Sequence, residues 1–186
     1  MKDNLIVFFI SGKARHGKTT SANMIKKYFN EHDKESVVTS YGKYIKMYAS
    51  EITGWDGKSE PKPRELLQTL GTKVIRQKLG REDFYVKRID EDLDVYNEYV
   101  NAVMLDDVRL PIEMDYFKDK CKNMITMHIN RPNFESDLPD KQRKHITEVG
   151  LDDYKGFDYM IENDGTLDDL ENKIFKLMDE IMKEVK

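Results

Sequence analysis

Eight consecutive residues could do the most chemistry in this sequence: Gly12-Lys13-Ala14-Arg15-His16-Gly17-Lys18-Thr19. A glycine, four free positions, a second glycine, a lysine and a hydroxyl residue is the spacing of a loop that wraps phosphate. Glycine allows the backbone to fold around an anion, and a helix that follows aims its first N–H groups and positive dipole end at the phosphates. In such a loop Lys18 reaches the outer phosphates and the Thr19 hydroxyl ligates Mg²⁺. The nucleotide-contacting residues expected here are Gly12, Ala14, His16, Gly17, Lys18, Thr19 and Thr20. The pattern implies that a nucleoside triphosphate binds. It leaves open whether the terminal phosphoryl passes to a small acceptor, passes to water, or serves as a switch.

Four further groupings bear on that choice. Asp106 and Asp107 stand at the end of an apolar run, where a carboxylate can meet Mg²⁺ directly or through water; Asp107 is taken with Thr19 as the metal pair, while which of the two aspartates serves the metal stays open. Arg109 follows, an arginine suited to bidentate phosphate contact, and Glu113 lies one helical turn on, where it can hold that arginine. Arg64, Gln68, Thr72 and Arg76 recur every four residues, so a regular helix would line them up on one face. Arg131, and then Lys141-Gln142-Arg143-Lys144-His145 with Glu148, form a basic group in a chain of formal net charge -4. On a mobile segment such a group can close over a triphosphate and exclude water. His145 reads as a polar contact rather than a base.

The elements that must position these groups can be read in order. Residues 4–11 read as a strand whose unbroken apolar run, Leu5 to Ile10, is that of a central parallel strand covered on both faces. Helical spacing covers residues 20–30, 43–53, 64–79, 81–97 and 110–122, the last opening at Pro111, a residue suited to a first turn. Short strands are expected at 35–40, 99–105, 123–130 and 158–161. Residues 54–63 read as a polar loop. Gly71, inside a helical pattern, costs about 1 kcal/mol relative to alanine and implies a close approach. Thr166 is a good N-cap for a last helix over 167–184. Alternating strands and helices predict an α/β class with a parallel sheet and right-handed crossovers.

Composition narrows the class. The 186 residues suffice for one α/β domain and are few for two. Hydrophobic residues make up 39% and charged residues 35%, with the charges mixed along the chain, so no duplex-binding surface is indicated. Cys121 is the single cysteine, which rules out an intrachain disulfide. No apolar run nears the roughly 20 residues of a membrane span, and no signal-peptide pattern opens the sequence. A cytoplasmic location is the expectation, with neither nucleic acid nor membrane as a partner.

In order along the chain, several segments resemble the bacteriophage-type deoxynucleoside monophosphate kinases within the P-loop nucleoside monophosphate kinase family. They are residues 12–19, Arg64-Glu65-Leu66-Leu67-Gln68-Thr69-Leu70-Gly71-Thr72 with Arg76, Asp107-Val108-Arg109-Leu110-Pro111-Ile112-Glu113, His145-Ile146-Thr147-Glu148, and Ile161-Glu162-Asn163-Asp164-Gly165-Thr166-Leu167. Departures from the family pattern are Leu110 where phenylalanine is usual, Ile112 where asparagine is usual, and Thr147 where serine is common. They bear on which base is accepted.

The resemblance implies a three-layer P-loop kinase fold with five parallel strands in the order 2-3-1-4-5. It implies one kinase domain over 1–186, with a monophosphate-binding part at about 42–98 and a lid at about 131–150. ATP and Mg²⁺ are the implied cofactors and a nucleoside monophosphate the implied partner. By position, Lys46, Arg64, Arg76 and Arg109 contact the acceptor phosphate and Asp107 serves the same site. Gln68 faces the sugar or base. Lys18, Arg109, Arg131 and Arg143 act on the transferring phosphoryl. Asn163, Gly165 and Thr166 lie near the adenine. The base, the sugar and the oligomeric state stay open, a homodimer being one form considered. Alternatives from the same loop are another small-molecule kinase, such as a dephospho-coenzyme A or shikimate-type kinase, or a non-catalytic nucleotide-binding module. A GTP switch is disfavoured because no Asn-Lys-x-Asp base-reading motif occurs. An AAA-type motor is disfavoured by the short chain.

Overall fold

A computed structural model describes residues 2–58, 63–136 and 138–185. Part of the expected polar loop, residues 59–62, and Asp137 of the expected lid lie outside the described residues. The described residues form two compact units, one made of residues 1–40 with 93–186 and the other of residues 41–92.

The first unit is built on a parallel sheet. Its strands are β1 (Lys2–Ser11), β2 (Ser36–Thr39), β3 (Ala102–Val108), β4 (Cys121–Asn130) and β5 (Tyr159–Glu162), in the order β2-β3-β1-β4-β5. Every pairing is parallel, so the order is the one the resemblance implies. The apolar run in β1 has the reason expected of it: Leu5 to Ile10 are all buried because both faces are covered. Side chains alternate across the strand. Ile6, Phe8 and Ile10 join the core formed with α1 (Lys18–Glu31) and the long C-terminal helix. On the opposite face Phe9 meets Phe117, with ring centroids 5.4 Å apart. The C-terminal helix buries Leu170, Ile174, Met178 and Ile181, a stripe at helical spacing.

Two elements of this unit differ from sequence expectation. The helix expected over 110–122 is only Ile112–Asp115, labelled α5 below, followed by turns to Lys120. Met114 and Phe117 are fully buried there, and Cys121 already pairs with β1, so little chain remains for a longer helix. β3 runs on through Asp106 and Asp107 to Val108 instead of stopping at residue 105. Both aspartates are therefore strand residues, and they lie where the register against β1 shifts: Phe9 pairs with Leu105 but Ser11 with Val108.

The second unit is helical. It holds α2 (Gly42–Thr53), α3 (Arg64–Gln68), a π-helical segment (Thr69–Lys78) and most of α4 (Phe84–Tyr96). The Tyr44 hydroxyl donates to Asp92 at 2.7 Å and Lys43 pairs with the same carboxylate, tying α2 to α4. The close approach expected at Gly71 is made by Ile45, whose Cδ1 lies 2.9 Å from where a Cβ would stand. The π segment closes turns over five residues, as where Leu79 N–H donates to the Val74 carbonyl at 3.0 Å. Four residues slightly overshoot an α turn and slightly undershoot a π turn, so the two segments keep Arg64, Gln68, Thr72 and Arg76 within one broad sector of the helix surface.

The remaining helices are α6 (Asp140–Arg143), α7 (Ile146–Val149) and α8 (Leu167–Glu184), the C-terminal helix named above.

Candidate active site

β1 is the middle strand, and its neighbours β3 and β4 are reached by separate crossovers. The loop leaving β1 therefore opens at the carboxyl edge where the sheet order reverses, the place where open α/β sheets bind ligands. β3 delivers Asp106 to Arg109 on one side of it, and β4 delivers His128 to Arg131 on the other.

Both glycines of the loop are required by their surroundings. Gly12 has φ of 140°, and a Cβ there would lie 2.4 Å from the Ile129 carbonyl oxygen of β4. Gly17, at φ 103°, is the N-cap of α1, and a Cβ there would meet Asn163 Nδ2 at 2.8 Å. The loop is braced from outside. Asn163 Nδ2 donates to the His16 carbonyl at 3.0 Å, and Arg131 N–H donates to His16 Nδ1 at 3.1 Å. Burial, then the nearby Lys18 charge, lowers the His16 pKa, which suits an imidazole that accepts a hydrogen bond.

Lys18 is buried and folds back on the loop, donating to the carbonyls of Gly12 at 2.7 Å and Lys13 at 2.8 Å. Burial, and next the positive charge of Arg109, pull its pKa down to about 8, against the opposing pull of Glu148, Asp107 and Asp106. Thr19 Oγ1 donates to Asp106 Oδ2 at 2.6 Å. Of the two aspartates at the end of β3, Asp106 is the one that Thr19 bonds. A hydroxyl and a carboxylate are hard oxygen donors. Among the described residues no group of three or more His, Cys, Asp or Glu could hold a metal by itself. That donor set fits Mg²⁺, which keeps most of its waters and takes phosphate oxygens.

Arg109 is held at both ends. Its backbone N–H donates to Glu113 Oε2 at 2.7 Å, and Leu110 N–H donates to the same oxygen at 3.1 Å. Glu113, buried on α5, thus fixes the backbone at Arg109. The guanidinium itself donates to the Thr147 carbonyl at 2.8 Å and pairs with Glu148. Glu148 also accepts the Ala14 N–H at 3.1 Å. Sequence reasoning placed Glu148 beside the basic group and in the His-x-x-Glu segment, but gave it no contact with the loop. A partner 134 positions away carries no local signal.

The other expected site residues are placed as follows. His145 Nδ1 accepts the Thr147 N–H at 3.3 Å and so caps α7. Arg131 is exposed, its guanidinium 4.9 Å from the Phe134 ring centroid. Arg143 is exposed and pairs with Asp140. Thr20 is half-buried on the first turn of α1. Thr166 forms a capping box with Asp169, and Gly165 leaves room for that carboxylate. Lys46, Arg64, Gln68 and Arg76 belong to the second unit; the Arg76 guanidinium lies 5.2 Å from the Tyr85 ring centroid.

A family model described as deoxynucleotide monophosphate kinase matches residues 29–174. The chain belongs to that family. The matched span begins after the phosphate loop, so loop geometry and family membership rest on different residues. A deoxynucleotide monophosphate kinase of Escherichia phage RB69 is 32% identical over 122 residues, 62% of this chain and 44% of the relative. The chain thus spans less than half the length of that curated family relative. Two solved kinases share the fold. A shikimate kinase from Acinetobacter baumannii, in complex with shikimate, is 14% identical with a TM-score of 0.51, covering 96% of this chain and 95% of its own. A dephospho-CoA kinase from Campylobacter jejuni is 18% identical with a TM-score of 0.50, covering 95% and 97%. The fold of this family member is therefore the P-loop kinase fold. Among the described residues no helix is long and apolar enough to cross a membrane.

Proposed function

We propose that this chain transfers the terminal phosphoryl of ATP to a deoxynucleoside monophosphate in the cytoplasm, yielding ADP and the deoxynucleoside diphosphate. The observation that carries the reading is the convergence of Lys18, the Thr19–Asp106 pair and Arg109 at the adjoining ends of β1 and β3, in a chain of this family.

The chemistry needs little from side chains beyond charge and position. An oxygen of the acceptor phosphate forms a bond to the γ-phosphorus, while the bond from that phosphorus to the β,γ-bridging oxygen breaks and its electron pair leaves with ADP. The acceptor oxygen is already anionic, so no general base is required. Lys18 and Arg109 stabilise the charge spread over the transferring group. Bound by Thr19 and Asp106, Mg²⁺ would supply charge neutralisation at the phosphates. Lys46, Arg64, Gln68 and Arg76 keep the acceptor-contact role given by resemblance. Asn163, Gly165 and Thr166 keep theirs beside the adenine. Residues 131–150, with Arg131 and Arg143, serve as the lid that excludes water.

An ADP-release assay with ATP and each ribo- and deoxynucleoside monophosphate in turn tests the reading. Turnover that depends on at least one deoxynucleoside monophosphate is the expected result. ATP consumption indifferent to every monophosphate, or dependent instead on shikimate or dephospho-coenzyme A, would overturn it.

A further inference from the structure

Glu148 is tied to two groups that a phosphate would use. Its Oε2 accepts the Ala14 N–H at 3.1 Å, and Ala14 lies inside the phosphate loop. Its Oε1 accepts from Nη1 of Arg109, which also donates to the Thr147 carbonyl. The Glu148 side chain is only 10% exposed and that of Arg109 25%, so the pair is well shielded from solvent. The same stretch of chain makes a second anionic contact with the loop, where Asp152 pairs with Lys13 at 3.1 Å. A carboxylate and a phosphate make the same demand on these donors: anionic oxygens take charge-assisted hydrogen bonds from an N–H and a guanidinium. One N–H and one guanidinium nitrogen cannot serve both acceptors fully.

We propose that Glu148 is an internal phosphate surrogate, whose carboxylate competes with substrate phosphate for Ala14 N–H and Arg109 and is displaced when substrate binds. This deepens the kinase reading and rests on it only for the identity of the phosphate as a nucleotide's; the competition itself concerns any phosphate-type anion. Two consequences follow from charge alone. Glu148 is the carboxylate paired with Arg109 and acts on Lys18 beside Asp107 and Asp106, so an incoming anion must displace a tethered one to enter. Removing its charge while keeping the shape then leaves Arg109 without its paired carboxylate, and phosphate binding tightens.

The test is calorimetric titration of the full chain with inorganic pyrophosphate, for the wild type and for Glu148→Gln. The expected result is about tenfold tighter binding by the variant, the size of one weakened charge-assisted contact. Unchanged or weaker binding would overturn the proposal, and weaker binding would make Glu148 a residue that only positions Arg109. Thermal unfolding checks that the variant folds. If it does not, Glu148→Asp repeats the measurement: one methylene shorter, it keeps the charge but loses reach to the loop, and tighter binding is again expected. Failure here is distinct from failure of the kinase reading. Pyrophosphate binding that ignores Glu148, beside normal monophosphate-dependent turnover, removes the surrogate alone. Tightened pyrophosphate binding without monophosphate-dependent turnover removes the kinase reading alone.

Discussion

The Thr19 hydroxyl donates to Asp106 Oδ2 at 2.6 Å, joining the first turn of α1 to the last residues of β3 across 87 positions of sequence. Neither residue makes a metal site alone; together they offer two hard oxygens where the phosphate loop turns into its helix. Asp106→Asn keeps the shape and removes the charge. The Mg²⁺ concentration for half-maximal activity is expected to rise about tenfold or more, as for a lost metal-orienting carboxylate. Asp107→Asn, at a residue that lacks the bond to Thr19 that Asp106 makes, is expected to shift it far less. Mg²⁺ titrations of both variants check the assignment, and a larger effect at Asp107 would reverse it.

Lys18→Ala removes the one ammonium buried in the phosphate loop. Turnover is expected to fall at least a hundredfold, the scale seen when a preorganised charge-stabilising group is lost. Folding should survive, since the substitution removes a buried charge and leaves Thr19, Ser21 and Ala22 to carry the start of α1. Circular dichroism beside the kinase assay separates the two outcomes; full activity would remove the loop from the mechanism.

The pH dependence follows from the same lysine. Its pKa in the folded chain is about 8, below the ordinary 10.5, chiefly through burial and Arg109. The ammonium is the form that meets phosphate, so kcat/KM, which reports the free enzyme, is expected to fall as pH rises through about 8. For stability the sign is opposite. Between about 8 and 10.5 the unfolded chain holds the Lys18 proton and the folded chain does not. More protons bound in the unfolded state means that this group's contribution to stability increases with pH across that window. Below about 8 both states are protonated and the contribution is flat. A rate profile and a denaturation series over pH 7–10 test both signs, with other groups that titrate there controlled by Lys18→Met.

Gly12→Ala places a methyl group 2.4 Å from a backbone oxygen at a φ of 140°. The backbone strain alone costs about 2 kcal/mol, which in a domain of this size lowers Tm by about 4–8 °C. Nucleotide binding should be lost with it. Calorimetric unfolding reads the first effect and an ATP titration the second.

Asn163→Ala removes the amide that donates to the His16 carbonyl. The loop loses one brace without losing a phosphate donor. The KM for ATP is expected to rise several-fold to about tenfold, the value of one hydrogen bond, with kcat changed less. Steady-state kinetics against ATP decide it; a fall in kcat with KM unchanged would place Asn163 in the transfer step instead.

Several features were legible in the residues themselves. The phosphate loop depends on consecutive positions, so Gly12, Gly17, Lys18 and Thr19 announce it without help from the rest of the chain. The unbroken apolar run of β1 announced a strand buried on both faces, because a covered strand needs no polar side. Thr166 announced a helix start, since a cap is satisfied within four residues. The close approach at Gly71 was likewise implied by a glycine placed where alanine would cost less.

Other features could not be read in this way. That Thr19 bonds Asp106 depends on how far β3 runs and on the register shift beside it, and both are settled by pairing with β1. The π-helical turns from Thr69 to Lys78 carry no signal in the spacing of Arg64, Gln68, Thr72 and Arg76, which suits an α-helix equally well. Glu113 accepts the backbone N–H groups of Arg109 and Leu110, a contact that spacing alone does not distinguish from one to the side chain. Sequence alone thus determined the phosphate loop and the alternation that makes an α/β sheet, because both arise from contacts within a few residues. Tertiary structure decided which carboxylate meets Thr19 and which one holds Arg109. Those partners lie 87 and 39 positions apart, and only the packing of the sheet and the segment after it brings them within hydrogen-bond reach.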